Sequence, residues 1–124
     1  MAEEYKASKA IYMQIADSII HRIVRGELTP GDKLPSVREM AIQSNVNPNT
    51  IQRTYSELER MEVVESRRGQ GTFVIEDETL VSSLKRKVHR EITGTYVENM
   101  KELGISVEDI VEELQNYLEE RREK

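Results

Sequence analysis

The chain contains no cysteine and no tryptophan, and it has one phenylalanine, two histidines and three prolines. Without cysteine there is no disulfide framework, no thiolate zinc site and no cysteine nucleophile. The histidines, His21 and His89, stand far apart and outside any HExxH-type spacing, so they read as solvated helix residues and no metal is expected. The longest unbroken apolar run is the four residues Ala10 to Met13, far below the roughly 18 to 20 that cross a bilayer. The acidic start Met1-Ala2-Glu3-Glu4 does not fit a signal peptide, and together these absences predict a cytoplasmic protein without a membrane segment. The patterns GxSxG, GxGxxG and GxxxxGK[ST] are missing too. With neither a nucleophile elbow nor a phosphate-cradling loop, no enzymatic activity and no cofactor are expected.

What is present is a highly charged chain of 124 residues in which Leu, Ile, Val and Phe still make up a quarter of the total. That exceeds the roughly 20% below which such chains stay disordered, so the protein should fold. The net charge of −5 is unevenly spread: residues 1–75 carry ten Lys/Arg and ten Asp/Glu, and residues 76–124 carry eight against thirteen. A neutral N-terminal part can present a local basic face, while the acidic remainder weakens indiscriminate binding to phosphate.

The order of elements follows from periodicity and caps. Ile11, Ile15, Ile19, Ile20, Ile23 and Val24 recur at helical spacing, and Gly26 closes that helix. The stretch 28–35 holds two prolines and a Pro-Gly pair and reads as an ordered turn. Ser36-Val37-Arg38-Glu39 is a capping box that starts a short helix to about Ser44. Asn47 then caps a second helix whose first residue is Pro48 and whose apolar face is Ile51, Tyr55, Leu58 and Met61. Val63-Val64 and Thr72 to Ile75 flank a glycine-bearing turn and predict a hairpin that leans on the helices through Val64, Phe73 and Ile75. A long helix follows from about Glu78 to Leu103, with Gly104 as its end, and a last one starts at the Ser106 box.

The predicted fold is therefore mainly α with a small β-hairpin wing, an α+β class. Residues 1–76 are expected to form a winged helix-turn-helix and residues 77–124 a two-helix dimerisation region. Two amphipathic helices joined at one glycine shield each other only in part. A second copy of the chain is the expected cover, through Leu80, Leu84, Val88, Ile92, Tyr96, Ile110, Leu114 and Tyr117.

The second helix of the pair gathers Asn49, Thr50, Gln52 and Arg53 at its N-terminal end. In a major groove, Asn and Gln can bond adenine and Arg can bond guanine, each through two hydrogen bonds. Taken alone, these four residues are also the composition of any solvated helix face. The tip Arg67-Arg68-Gly69-Gln70-Gly71 adds the composition of a wing that lies along phosphates or in a narrow minor groove. Ser36, at a helix N-terminus, is a further phosphate contact, with Arg38 beside it. A protein-binding module of the same shape is the main rival, and the cations Arg53, Arg67 and Arg68 count against it.

Four separated blocks, Ile11-Tyr12-Met13-Gln14-Ile15, the run from Gly26 to Glu39, Asn49 to Tyr55, and Gly69-Gln70-Gly71-Thr72-Phe73-Val74, resemble the N-terminal domain of GntR-family bacterial transcription regulators. The resemblance implies a winged helix-turn-helix that binds double-stranded operator DNA as a homodimer, most simply as a repressor. It places Ser36, Arg38, Asn47, Asn49, Thr50, Arg53, Arg68, Gly69 and Gln70 on the DNA, with Gln52 in a more variable role. Few residues follow the wing, which is similar to the YtrA-like subfamily, whose tail helices mediate dimerisation and whose members often repress transport genes. Two helices offer no obvious pocket of the size a small ligand requires, so a small-molecule effector is left open.

Overall fold

The computed structural model describes Tyr5 and residues 9–122. The elements are α1 (Ile11–Val24), α2 (Val37–Ser44), α3 (Pro48–Arg60), β1 (Val64–Arg67), β2 (Gly71–Val74), α4 (Glu78–Glu102) and α5 (Val107–Glu120). This is the α+β architecture expected, helical with one antiparallel hairpin. None of the described helices is long and apolar enough to cross a membrane.

The chain divides into two compact units, one ending at Leu84 and the other beginning at Lys85. The first extends past the expected boundary at residue 76 because the start of α4 belongs to it. Leu80, Val81 and Leu84 line a shallow apolar recess with Ile23, Val63, Val74 and Ile75. Asp77 starts α4, its Oδ1 accepting from the amides of Thr79 at 2.9 Å and Leu80 at 3.2 Å.

Packing in the first unit centres on α1 and α3. Helix α1 buries Ile15, Ala16, Ile19, Ile20 and Ile23, and α3 buries Ile51, Thr54, Tyr55 and Leu58. Each buried large aliphatic side chain contributes about 1.5–3 kcal/mol. Thr54 is fully buried, its hydroxyl 3.0 Å from the carbonyls of both Tyr12 and Thr50, so a polar group sits in the α1–α3 seam with its hydrogen bonding satisfied. Tyr55 donates its hydroxyl to the Pro35 carbonyl at 2.7 Å, which fixes the turn just before α2. Burial pushes that phenol well above its ordinary pKa, with Glu39 adding to the effect. Tyr5 ties the other end of α2, donating to the Ser44 carbonyl at 2.7 Å.

The caps form as the sequence predicts. Ser36 Oγ accepts from the Glu39 amide at 3.1 Å, and Glu39 Oε1 accepts from the Ser36 amide at 3.0 Å. Asn47 Oδ1 accepts from the Asn49 amide at 2.7 Å at the start of α3.

The wing departs from expectation in two ways. Its register pairs Val64 with Val74 and Glu65 with Phe73. Cross-strand partners share a face, so the inward pair is Val64 and Val74, both buried, and Phe73 lies on the outer face instead of in the core. In addition, the proline-rich stretch covers the free edge of β2. Gly31 N donates to the Val74 carbonyl at 2.9 Å, Val74 N to Asp32 O at 2.8 Å and Leu34 N to Thr72 O at 2.8 Å. Both edges of β2 are thus paired, which holds a hairpin too small to stand alone.

In the second unit, Ser106 Oγ caps α5 by accepting from the Asp109 amide at 3.2 Å. Ile110 is the buried residue of α5. Expected as an intersubunit contact, it is covered by its own chain, and Leu80 and Leu84 likewise face the recess of the first unit.

Two measurements test this framework. Tyr55→Phe leaves the Pro35 carbonyl without its donor and should lower stability by about 1 kcal/mol in denaturant unfolding. A neutral result would show that the turn does not depend on that bond. The Glu39 carboxyl is held below its usual range, chiefly by the bond from the Ser36 backbone and then by the Ser36 side chain. A lowered folded-state value means the charged cap stabilises at neutral pH and loses that contribution as pH falls through the lowered value. The melting temperature of Glu39→Gln should therefore lie below that of the wild type near neutrality, and the two should converge in acid. A gap independent of pH would contradict the capping role.

Candidate nucleic-acid interface

Because α3 is locked along one edge by Ile51, Thr54, Tyr55 and Leu58, its other edge has a fixed presentation. Asn47, Asn49, Gln52 and Arg53 are exposed there and Thr50 is half-buried. Asn47 uses its oxygen as a cap and keeps its amide donors for a ligand. Arg53 is not a loose cation: its guanidinium carbon lies 4.0 Å from the centroid of the Tyr12 ring on α1. Stacking holds the plane by one face and leaves the N–H edge free for a two-pronged bond.

The other predicted contacts lie on α2 and on the wing. Ser36 and Arg38 are exposed at the start of α2. At the wing, Gln70 N donates to the Arg67 carbonyl at 2.8 Å and Gly69 adopts a left-handed φ of +75°, which closes the tip as a tight turn. Arg68, Gly69 and Gln70 are exposed at that tip. Among the described residues, Arg38, Arg53 and Arg68 form no ion pair.

Arg67 is different. It was expected at the tip as a second DNA-facing cation, but it is bound within the protein to Glu65 and Glu76, each at 2.9 Å. Its guanidinium also lies 4.1 Å from the Phe73 ring centroid. The outer-face register explains this, since Glu65, Arg67 and Phe73 all project on the side of the hairpin away from the core.

Two residues escape the sequence reading. Tyr12 enters the sequence reading only within the block Ile11 to Ile15, with no role of its own, because its contact with Arg53 runs across helices. Lys33 reads as a turn residue, yet it is exposed and its side chain crosses the hairpin. A β-carbon at Gly71 would stand 2.9 Å from its Cε, so glycine there leaves room for the lysine stem. A cation of the proline-rich turn is thereby brought to the wing.

The fold thus exposes a polar helix edge able to bond base edges, together with cations at the start of α2 and at the wing tip able to hold phosphates. Among the described residues, no cluster of three or more His, Asp or Glu is placed to hold a metal ion.

The model of "Bacterial regulatory proteins, gntR family" matches residues 11–74, from α1 through β2. YhcF, an HTH-type transcriptional regulator of Bacillus subtilis (strain 168), is 57% identical over 119 residues, covering 96% of this chain and 98% of YhcF. YtrA, an HTH-type transcriptional repressor of the same bacterium, is 44% identical over 72 residues, which span 58% of this chain and 55% of YtrA. The solved structure of a GntR family transcriptional regulator from Listeria monocytogenes matches with a TM-score of 0.85 at 39% identity, covering 90% of this chain and 98% of that one.

The stack under Arg53 can be tested directly. Arg53→Ala should weaken binding to the preferred duplex by about 1–3 kcal/mol and relax the base preference at one position. Tyr12→Ala should weaken it by a smaller amount, about 0.5–1 kcal/mol, whereas Tyr12→Phe, which keeps the ring, should not. Equal affinities for wild type and Tyr12→Ala in fluorescence anisotropy would remove the ring from the reading apparatus.

Proposed function

The chain belongs to the gntR family of bacterial regulatory proteins, and from that membership we propose that this DNA-binding transcriptional regulator acts as a cytoplasmic homodimeric repressor on a two-fold symmetric operator. Each protomer enters the major groove with the N-terminal edge of α3 and sets Arg68 and the wing tip along the backbone or in the flanking minor groove. Ser36 and Arg38 hold phosphates, while Asn49, Thr50, Gln52 and Arg53 face base edges.

The observation that carries the homodimer is the apolar surface left open on the second unit. Ile92 is 60% exposed, Leu103 75%, Val107 58%, Val111 53%, Tyr117 53% and Leu118 58%. Val107, Val111, Leu114 and Leu118 recur on α5 at spacings of three and four, so they form one stripe and not scattered singles. A second copy offers the same stripe, and a two-fold axis buries both. Val88, Ile92, Tyr96, Leu114 and Tyr117 remain in the proposed interface, while Leu80, Leu84 and Ile110 serve within the chain. Gly94 on α4 has no atom of its own chain near the place of a β-carbon, so a partner backbone can approach there.

Two heads joined this way read half-sites whose centres lie about 10 bp or a multiple of that apart. The recess near Leu84 is lined by aliphatic side chains alone, with no polar side chain to orient a small effector.

Glutamate at both Ile92 and Leu114 places unpaired charge in the proposed interface. The double variant should sediment as a monomer, retain its fold by circular dichroism, and lose far more affinity for a two-half-site duplex than for a single half-site. A variant that stays dimeric would move the interface elsewhere.

A further inference from the structure

We propose that Arg67 is a positioning residue which sets the posture of the wing from within the protein and does not itself touch DNA. The proposal rests on the DNA-binding reading of the wing and refines it. Arg67 joins three segments. Its Nε and Nη2 reach Glu65 on its own strand, Nη2 also reaches Glu76 just after β2, both at 2.9 Å, and its plane lies over Phe73 of β2.

Glu76 is in turn seated across the proline-rich turn. A β-carbon at Gly31 would stand 3.2 Å from its Cγ, so the glycine keeps the path open for that side chain. Gly31 also donates its amide to Val74, two residues before Glu76. The hairpin, the turn that pairs with its outer edge and the segment leading into α4 thus meet at one guanidinium.

Charge decides between bracing and contact. Arg67 is engaged by two carboxylates, and even with Lys33 beside Gly71 the cluster has no net positive charge with which to draw a phosphate. Swinging Arg67 outward to a phosphate would abandon the ring and leave Glu65 and Glu76 unneutralised next to the DNA backbone. Arg68, one residue on, is exposed and has no such partners among the described residues, so it serves as the tip contact. Arginine suits the brace because its planar fork bonds two carboxylates while stacking on a ring, which a lysine ammonium cannot do.

The test uses the full chain in two arms. In the DNA-free protein, two-dimensional NMR should show the Arg67 side-chain protons shifted upfield by the Phe73 ring. The amides of residues 68–71 should move or broaden in both Arg67→Ala and Glu76→Gln, with melting showing that both variants fold. Unchanged tip resonances in both would overturn the proposal.

In the second arm, affinity is measured over a salt series on a duplex carrying the sequence the wild type selects. Arg68→Ala should reduce the slope of log affinity against log salt by about one per protomer, or about two for the dimer on its full site. Arg67→Ala and Glu76→Gln should both lower affinity several-fold at unchanged slope, and Arg67→Lys should not restore it. A slope reduced by about one per protomer in Arg67→Ala, rescue by lysine, or tighter binding by Glu76→Gln would make Arg67 a phosphate contact instead. A wild type that selects no duplex would count against the regulator reading, while the DNA-free arm still decides the brace.

Discussion

The exposed polar edge of α3 has a defined presentation because its opposite edge is sealed. Ile51 and Leu58 have no solvent exposure, and Thr54 between them is fully buried with its hydroxyl bonded across the α1–α3 seam. Rotating α3 by a fraction of a turn would expose that hydroxyl or strand it without a partner, and a stranded buried hydroxyl costs about 1–3 kcal/mol. One apolar seam with one polar pin therefore sets the directions in which Asn49, Gln52 and Arg53 project. The same seam brings Tyr12 under Arg53, so the helix that supports the reader also orients its longest side chain.

Tyr55 extends this control to α2. Its hydroxyl reaches past the helix to Pro35, immediately before the Ser36 cap, so the packing that positions α3 also positions the N-terminus of α2. The wing is held by backbone bonds to residues 31–34 on one edge and by Arg67 on its outer face. The three parts of the proposed DNA interface thus hang on one core through separate hydrogen bonds, and deformation of any part is resisted locally.

Much of this was legible in the residues. The Ser36 and Asn47 caps are local chemistry, with donors and acceptors two or three positions apart, and both helices start where the caps predict. Helix periodicity likewise located α1, α3, α4 and α5. Less legible were properties set by register and by contacts distant in sequence. Short strands with Val63, Val64, Phe73, Val74 and Ile75 close together admit two alternations, and a shift of one residue moved Phe73 to the outer face. Arg67 and Arg68 are adjacent and chemically identical, yet strand alternation turns one toward Glu65 and Glu76 and leaves the other exposed, with no ion pair among the described residues. Two prolines concealed the edge pairing of residues 31–34, because their punctuation reads as a turn whether or not a strand lies alongside. The expected dimer stripe on α4 and α5 mixed residues of two kinds, and only the fold separates Leu80, Leu84 and Ile110 from those left open.

In the proposed mechanism, the acidic tail and the local cations of the winged unit divide two tasks between two parts of one chain: association at the helices and phosphate contact at the head. The most direct measurement is the selection of bound fragments from pooled genomic DNA over a salt series, with light scattering for the mass of the protein and of its complex. A two-fold symmetric enriched sequence bound by two chains is the expected result, and the genes beside it would identify what is regulated. An asymmetric site bound by one chain, or a folded dimer that enriches no sequence at any salt, would contradict the homodimeric operator-binding mechanism.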